Sequence, residues 1–115
     1  MKSLPLLLLA GLASGPLLAA GYTGPGAHAA VATVAAAREA ADETPVVLEG
    51  RIVRQLKHEH YAFQDATGTL EVEIDDEDWP ATPVDDQRTV RLYGEVDKEL
   101  FGRRIDVEHI EVPNP

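Results

Sequence analysis

Residues 61 to 75, YAFQDATGTLEVEID, decide the fold. After Gly68, apolar side chains alternate with acidic ones, which is the two-residue period of a strand with one buried and one solvent-facing side. The four residues Asp65-Ala66-Thr67-Gly68 favour a tight turn, because Gly68 tolerates a positive φ. The stretch therefore predicts a β-hairpin whose apolar side consists of Tyr61, Phe63, Leu70, Val72 and Ile74.

The same period extends over three further segments. The inward positions are Val46, Leu48, Gly50, Ile52 and Leu56 in the first, Val90, Leu92, Gly94 and Val96 in the second, and Ile105, Val107, Ile110 and Val112 in the third. In the third segment the apolar positions change phase near Glu108 and His109, which predicts a β-bulge. Gly50 and Gly94 lie in the middle of long strands, where a small barrel has to bend sharply.

Five half-buried strands with one solvated side predict an antiparallel sheet that closes on itself. The long connection after the third strand is typical of the OB-fold arrangement. An alanine-rich run precedes the strands, and Thr33 is placed to cap a helix that begins at Val34 and ends near Ala41. The predicted fold is therefore mainly β, a five-stranded OB-fold barrel with a short N-terminal helix.

Residues 1–21, MKSLPLLLLAGLASGPLLAAG, have the layout of a secretory signal peptide. The apolar run is shorter than the roughly 20 residues that span a bilayer, so an uncleaved membrane anchor is the weaker alternative. We expect cleavage near Gly21, a flexible linker over residues 22–30 and the OB-fold domain over residues 31–115. The mature protein is then exported through the Sec pathway, with no stable membrane insertion.

Composition excludes several classes of function. The 115 residues include 10 Lys and Arg, 20 Asp and Glu and no cysteine. Loss of a leader that contains Lys2, Ser3 and Ser14 leaves a net charge of −11 and no serine, so neither a cysteine nor a serine nucleophile is available. Nucleic acid requires basic side chains to neutralise its phosphates. We therefore expect no nucleic-acid partner. Asp and Glu pairs are frequent, but no apolar surroundings single one out as a general acid, so we nominate no catalytic residue and no cofactor.

Several motifs together resemble a known family. They are Leu48-Glu49-Gly50-Arg51-Ile52-Val53, the turn segment from Tyr61 to Gly68, Val72-Glu73-Ile74-Asp75 and Gly94-Glu95-Val96-Asp97-Lys98. Over residues 34–112 the chain resembles the YgiW/YdeI family of bacterial OB-fold (BOF) stress tolerance proteins. The resemblance implies a periplasmic, non-enzymatic OB domain with a role in tolerance of envelope, oxidative or metal stress and without established catalytic residues.

Two groups of side chains are candidate metal ligands. Asp75, Asp76 and Asp78 offer oxygens to a hard cation such as Ca²⁺, although their spacing is not that of an EF-hand loop. His58 and His60 offer two imidazoles to Zn²⁺ or Cu²⁺. A solvated acidic loop and an exposed polar loop are the favoured alternatives, so the sequence by itself assigns no metal site.

The loops after the first and fourth strands flank the usual binding side of an OB fold. They supply a predicted interaction rim of Lys57, His58, His60, Leu100 and Phe101. The predicted function is support of stress tolerance through binding of a small ligand or a cell-envelope component. The alternative is weak binding of divalent cations by the acidic loop and His58-Glu59-His60.

Overall fold

The computed structural model describes residues 30–113. One short helix precedes five strands, and a single turn of 3₁₀ helix, Asp76–Asp78, follows the third strand. The elements are α1 (Val34–Glu39), β1 (Pro45–Lys57), β2 (His60–Asp65), β3 (Gly68–Ile74), β4 (Thr89–Glu99) and β5 (Gly102–Glu111). The predicted leader over residues 1–21 and all of the predicted linker except Ala30 lie outside the described residues.

The strands form a closed barrel in the order β1-β2-β3-β5-β4. Neighbouring strands are antiparallel except β3 and β5, where residues 71–74 run parallel to residues 104–107. The predicted five-stranded barrel with one short helix is confirmed, but the prediction of an antiparallel sheet is wrong for one pair, because β3 and β5 run parallel where the barrel closes. Among the described residues, no helix combines the length and the apolar character that a membrane crossing requires.

The barrel interior contains the apolar positions of the two-residue period. The predicted inward side chains that are buried are Val46, Leu48, Ile52, Phe63, Leu70, Val72, Ile74, Val90, Leu92, Val96, Ile105, Val107 and Ile110. Leu56 was predicted to point inward, and this prediction is wrong, since its side chain is 41% exposed. The register of β1 against β2 shifts twice, between Ile52 and Arg54 and between Gln55 and Lys57, and each shift changes the side to which later residues point.

Two glycines allow the strands to bend around this core. A Cβ at Gly50 would overlap the backbone oxygen of Gln64 and lie 2.9 Å from Cζ of Phe63, and a Cβ at Gly94 would lie 2.9 Å from Cα of Val107. The pairing of β4 with β5 also shifts between Tyr93 and Gly94, which leaves Glu108 without an opposite residue. The predicted bulge near Glu108 is thereby confirmed.

Helix α1 is fixed to the turn between β2 and β3. Thr33 caps it as predicted, accepting a hydrogen bond from the backbone N–H of Ala36. The N–H of Val34 donates to Oδ2 of Asp65 over 2.9 Å, and the N–H of Ala35 donates to Oγ1 of Thr67 over 2.9 Å. The helix ends at Glu39, slightly before the predicted Ala41, and the buried Val34 and Ala37 cover this end of the barrel.

Asp65 organises this contact. Its Oδ1 accepts from both the N–H and the hydroxyl of Thr67, at 2.8 and 2.6 Å. Partial burial by itself would raise the pKa of Asp65, but the hydrogen bonds from Thr67, Val34 and Gly68 together lower it below its ordinary value. The carboxylate is therefore stabilised in its charged form by donors from the helix and the turn.

Candidate functional site

The opposite end of the barrel is formed by the turn between β1 and β2. This turn consists of His58 and Glu59, and Glu59 has a left-handed backbone with φ 66°. The carbonyl oxygen of Glu59 accepts from the N–H of Ile74 at 2.8 Å, and its Oε2 accepts from the N–H of Asp76 at 2.8 Å. These bonds fix the turn against the residues that leave β3.

Five side chains converge at this contact, and we call them the Glu59 cluster: His58, Glu59, Glu73, Asp75 and Asp76. The potential ligand atoms of His58, Glu59 and Asp76 lie within 4.8 Å of one another, and so do those of Glu59, Glu73 and Asp75. Glu59 belongs to both groups. Glu59 and Glu73 are half-buried, whereas His58, Asp75 and Asp76 are exposed.

The electrostatics of the Glu59 cluster are those of negative charges held close together. Partial desolvation raises the pKa of Asp75, and the neighbouring charges of Glu59, Glu77 and others raise it further. The hydrogen bond between Nε2 of His58 and Oδ2 of Asp76, at 2.7 Å, raises the pKa of His58, with a further contribution from the charge of Asp76. The raised pKa values of Asp75 and His58 both indicate that the cluster favours positive charge.

Only some of the predicted metal ligands lie together in the structure. His58, Asp75 and Asp76 come together in the Glu59 cluster, whereas Asp78 belongs to neither group. His60 is directed away, since its Nδ1 lies 2.5 Å from Oε2 of Glu71 on the outer side of β3. Sequence reasoning missed Glu59 and Glu73, which only the tight turn and the end of β3 bring to the site.

An aromatic pair lies beside the Glu59 cluster. The rings of Tyr61 and Trp79 are 5.2 Å apart and meet edge to face at 78°. Both side chains are partly buried against the core. Burial raises the pKa of Tyr61, and the charge of Asp76 adds to this effect. The single tryptophan is therefore placed to report on events at the cluster.

Arg104 balances the acidic outer side of β3 and β4. Its Nη2 lies 2.8 Å from Asp97, 3.3 Å from Glu99 and 3.5 Å from Glu73. Its Nε is buried without a hydrogen-bond partner. Because Glu73 also belongs to the Glu59 cluster, one carboxylate joins the cluster to this network.

The predicted interaction rim falls into two parts. Lys57, His58 and His60 lie at the turn between β1 and β2, beside the end of β3. Leu100 and Phe101 form the turn between β4 and β5, just before the strand that runs parallel to β3. The parallel register therefore places the two parts toward opposite ends of β3.

A shallow groove on the outer side of β1 offers little to a ligand. It is lined by Glu49, Gly50, Arg51, Gln64, Asp65, Ala66 and Thr89. Arg51 already donates to the carbonyl oxygen of Asp86 and to Oε1 of Gln64, at 2.9 and 3.2 Å, and Asp65 is occupied by the helix. The Glu59 cluster, with its mutually repelling carboxylates, is the stronger candidate site.

The strand order, the closed barrel and the short helix are those of an OB-fold protein. The profile of the family described as "Bacterial OB fold (BOF) protein" matches residues 13–112, and the chain belongs to this family.

Known relatives agree with this assignment. The chain is 56% identical over 112 residues, 97% of each sequence, to "Calcium-regulated OB-fold protein CarO" of Pseudomonas aeruginosa. It is 37% identical over 118 residues to "Protein YgiW" of Escherichia coli, covering 90% of this chain and 91% of YgiW.

Solved structures show the same fold. The structure of YgiW from Escherichia coli matches with a TM-score of 0.68 and covers 79% of this chain and 96% of that one. The S. pombe Stn1-Ten1 complex matches at a TM-score of 0.59 with 11% identity, covering 75% of this chain and 78% of that one. The second likeness concerns the fold alone.

Proposed function

We propose that this protein is an exported, non-enzymatic binding module that supports bacterial stress tolerance, and that its ligand is a divalent cation held by the Glu59 cluster. The observation that carries the proposal is the convergence of two ligand groups on Glu59. Four carboxylates and one imidazole from the β1–β2 turn and the end of β3 form two overlapping groups that share Glu59. Desolvation and then the neighbouring carboxylates raise the pKa of Asp75, and a cation there would offset the second effect.

Calcium is the cation that this chemistry favours. Ca²⁺ takes six to eight oxygen ligands in flexible geometry, and carboxylates supply most of them in proteins. The exposed position of Asp75 and Asp76 leaves room for water to complete the shell. Affinity in the range of extracellular calcium modules, a Kd of about 0.1 to 1 mM, fits so open a site. The name of the Pseudomonas relative, which describes it as calcium-regulated, supports the same choice.

Export and the absence of catalysis are parts of the same proposal. The layout of residues 1–21 supports secretion to the periplasm, and the remaining sequence contains neither serine nor cysteine. The carboxylates around Arg104 are engaged in ion pairs. Glu71, Glu73 and Asp75, along and just after the outer side of β3, would repel a phosphate backbone, so we do not assign a nucleic-acid partner.

Terbium luminescence tests the proposed site. Tb³⁺ replaces Ca²⁺ at oxygen-rich sites. Trp79 directly follows the 3₁₀ turn Asp76–Asp78 and packs against Tyr61, so we expect these rings to transfer excitation to the bound ion. We expect saturable luminescence that CaCl₂ displaces. The variant Glu59→Gln, which removes the carboxylate shared by both groups, is expected to weaken binding at least tenfold.

The matched control is Glu108→Gln, the same chemical change at the exposed bulge of β5. It is expected to bind Tb³⁺ and Ca²⁺ like the unchanged protein. Equal losses in both variants would indicate a diffuse charge effect and would contradict the proposal, as would calorimetry with CaCl₂ that shows only non-saturating binding.

A second candidate is an organic component of the cell envelope at the predicted rim. The observation in its favour is the exposure of Leu100 and Phe101 at the β4–β5 turn. Amide NMR of the mature domain, titrated with peptidoglycan fragments, divalent metals and oligonucleotides, separates the candidates. Shifts confined to the residues of the Glu59 cluster support the cation, whereas shifts around the β4–β5 turn support the envelope component.

A further inference from the structure

The turn between β4 and β5 presents two large apolar side chains to solvent. Leu100 is 88% exposed and Phe101 is 94% exposed. Within residues 30–113, the other large hydrophobic side chain that is exposed is Leu56, at 41%. Two adjacent apolar side chains on a protruding turn lower solubility unless something covers them.

The fold itself does not require these residues. Two-residue hairpin turns favour Asn, Asp and Gly, and here the positive φ of 113° belongs to Gly102. A Cβ at Gly102 would meet nothing within 4 Å, so the turn stands clear of the barrel. Leu100 and Phe101 therefore contribute neither turn geometry nor core packing.

A pair of cations lies directly below the apolar tip. Lys98 on β4 faces Arg103 on β5 across the hairpin, and like charges in this arrangement destabilise a sheet. Within the described residues, neither side chain has a carboxylate within ion-pair distance. Arg103 donates instead to the carbonyl oxygen of Ala40 at 2.8 Å.

Two of the carboxylates near the hairpin are already paired with a cation. Asp97 and Glu99 pair with Arg104, and Asp42 accepts a hydrogen bond from the backbone N–H of Lys98. The Glu59 cluster lies toward the other end of β3. The apolar tip and its cations can therefore meet a negatively charged surface while the most acidic end of the barrel points away.

We propose that the β4–β5 turn docks reversibly on an anionic phospholipid surface. Leu100 and Phe101 enter the interfacial layer, and Lys98 and Arg103 lie at the level of the phosphates. Apolar residues beside basic ones are the combination by which peripheral segments bind membranes. The inference names the envelope component of the second candidate, and it rests on the proposed export but not on cation binding.

Co-sedimentation with vesicles tests this inference on residues 22–115, which contain the complete barrel. Vesicles of phosphatidylcholine with 30% phosphatidylglycerol are compared with vesicles of phosphatidylcholine alone, at low salt and in EDTA. EDTA keeps the Glu59 cluster empty, so the outcome is independent of cation binding. We expect binding to the anionic vesicles to be at least about tenfold stronger than to the neutral ones, since each basic group near the surface contributes about fivefold.

Three variants locate the contact. Leu100→Ser with Phe101→Ser is expected to lower binding to the anionic vesicles at least tenfold, and Lys98→Gln about fivefold. Leu56→Ser, at the other exposed apolar position, is expected to bind like the unchanged protein. Circular dichroism is expected to show the same unfolding midpoint for the double variant, because its replaced side chains are almost fully exposed.

Three results would overturn the inference. They are equal sedimentation of the unchanged protein and the double variant, equal binding to neutral and anionic vesicles, and a dimer in analytical ultracentrifugation that the double variant abolishes. The last result would assign the tip to a second copy of this chain. Failure of the terbium experiment with success here would reject the cation site and keep the lipid contact.

Discussion

The two ends of the barrel use carboxylates in opposite ways. At the end that α1 covers, Asp65 accepts hydrogen bonds from Val34 and Thr67, and its pKa is lowered. At the other end, Asp75 lies among Glu59, Glu73 and further acidic groups, and its pKa is raised. One end surrounds Asp65 with donors, and the other places Asp75 among carboxylates.

This difference separates a structural acid from a candidate ligand. A carboxylate whose lone pairs are filled by protein donors stabilises the fold and has little left for a cation. Carboxylates that face each other cost stability in the empty protein and gain it when a cation binds. The same residue type therefore has a different role at each end because of the partners that the fold provides.

The largest expected effect on stability is at the end of the barrel that α1 covers. Asp65→Ala removes the acceptor that joins α1 to the β2–β3 turn, and we expect a loss of about 2 to 3 kcal/mol in the free energy of unfolding. Urea denaturation measures it. Asp85→Ala, which removes only a bond to the N–H of Gln87, is the control and is expected to cost less than about 0.5 kcal/mol. Equal costs would mean that Asp65 does not anchor the helix.

Arg104 neutralises part of the negative charge on the outer side of β3 and β4. Arg104→Gln leaves Glu73, Asp97 and Glu99 without their shared cation, and we expect a loss of about 1 to 2 kcal/mol at low salt. The unpartnered Nε of Arg104 offsets part of the stabilisation in the unchanged protein. Salt is expected to restore part of the loss by screening. Arg91→Gln, which affects a more exposed cation with two partners, should cost less, and the reverse order would contradict this account.

Low pH is expected to remove the stabilisation that Asp65 provides at the end covered by α1. The folded-state pKa of Asp65 lies below its ordinary value of 3.8, so its contribution is complete above that value and is lost as the pH falls through the folded-state pKa. Asp65→Asn is expected to be about 1 kcal/mol less stable than the unchanged protein at pH 7. Urea titrations from pH 7 to below 3 should show this difference shrinking, and a constant difference would refute the assignment.

The smallest expected effect is at the acidic end and has the opposite sign. Because the pKa of Asp75 is raised, its charge opposes folding at neutral pH, and Asp75→Asn is expected to raise the thermal midpoint slightly. The gain should disappear below the ordinary value of 3.8, where the carboxyl is protonated in both states. With excess CaCl₂ the order should reverse in favour of the unchanged protein. A lower thermal midpoint for Asp75→Asn without calcium would contradict the claim that the charge of Asp75 opposes folding.

Much of the fold could be predicted from the two-residue period, because burial on one side of a strand imposes it directly. The prediction failed at Leu56, where two register shifts in β1 change the phase, and no local sequence signal marks those shifts. The turn at Asp65 was predictable, but its bond to Val34, 31 residues away, was not.

The candidate site was only half predictable, for a related reason. His58, Asp75 and Asp76 were nominated from their residue types, but Glu59 enters through a left-handed turn conformation and Glu73 through its place at the end of β3. His60 pairs with Glu71 across the sheet and does not join the cluster. Such groupings depend on which strands become neighbours, which the local pattern does not contain.

The parallel contact between β3 and β5 also determines when the barrel can form. β5 is the last of the five strands in chain order, and its Arg104 pairs with Glu71, 33 residues earlier. A chain that crosses a membrane with its amino end leading exposes β1 to β4 first, and these can form only an open sheet. In the export that we propose, closure of the barrel therefore requires β5 to emerge, and the strand order delays folding until nearly all of the described residues are across the membrane.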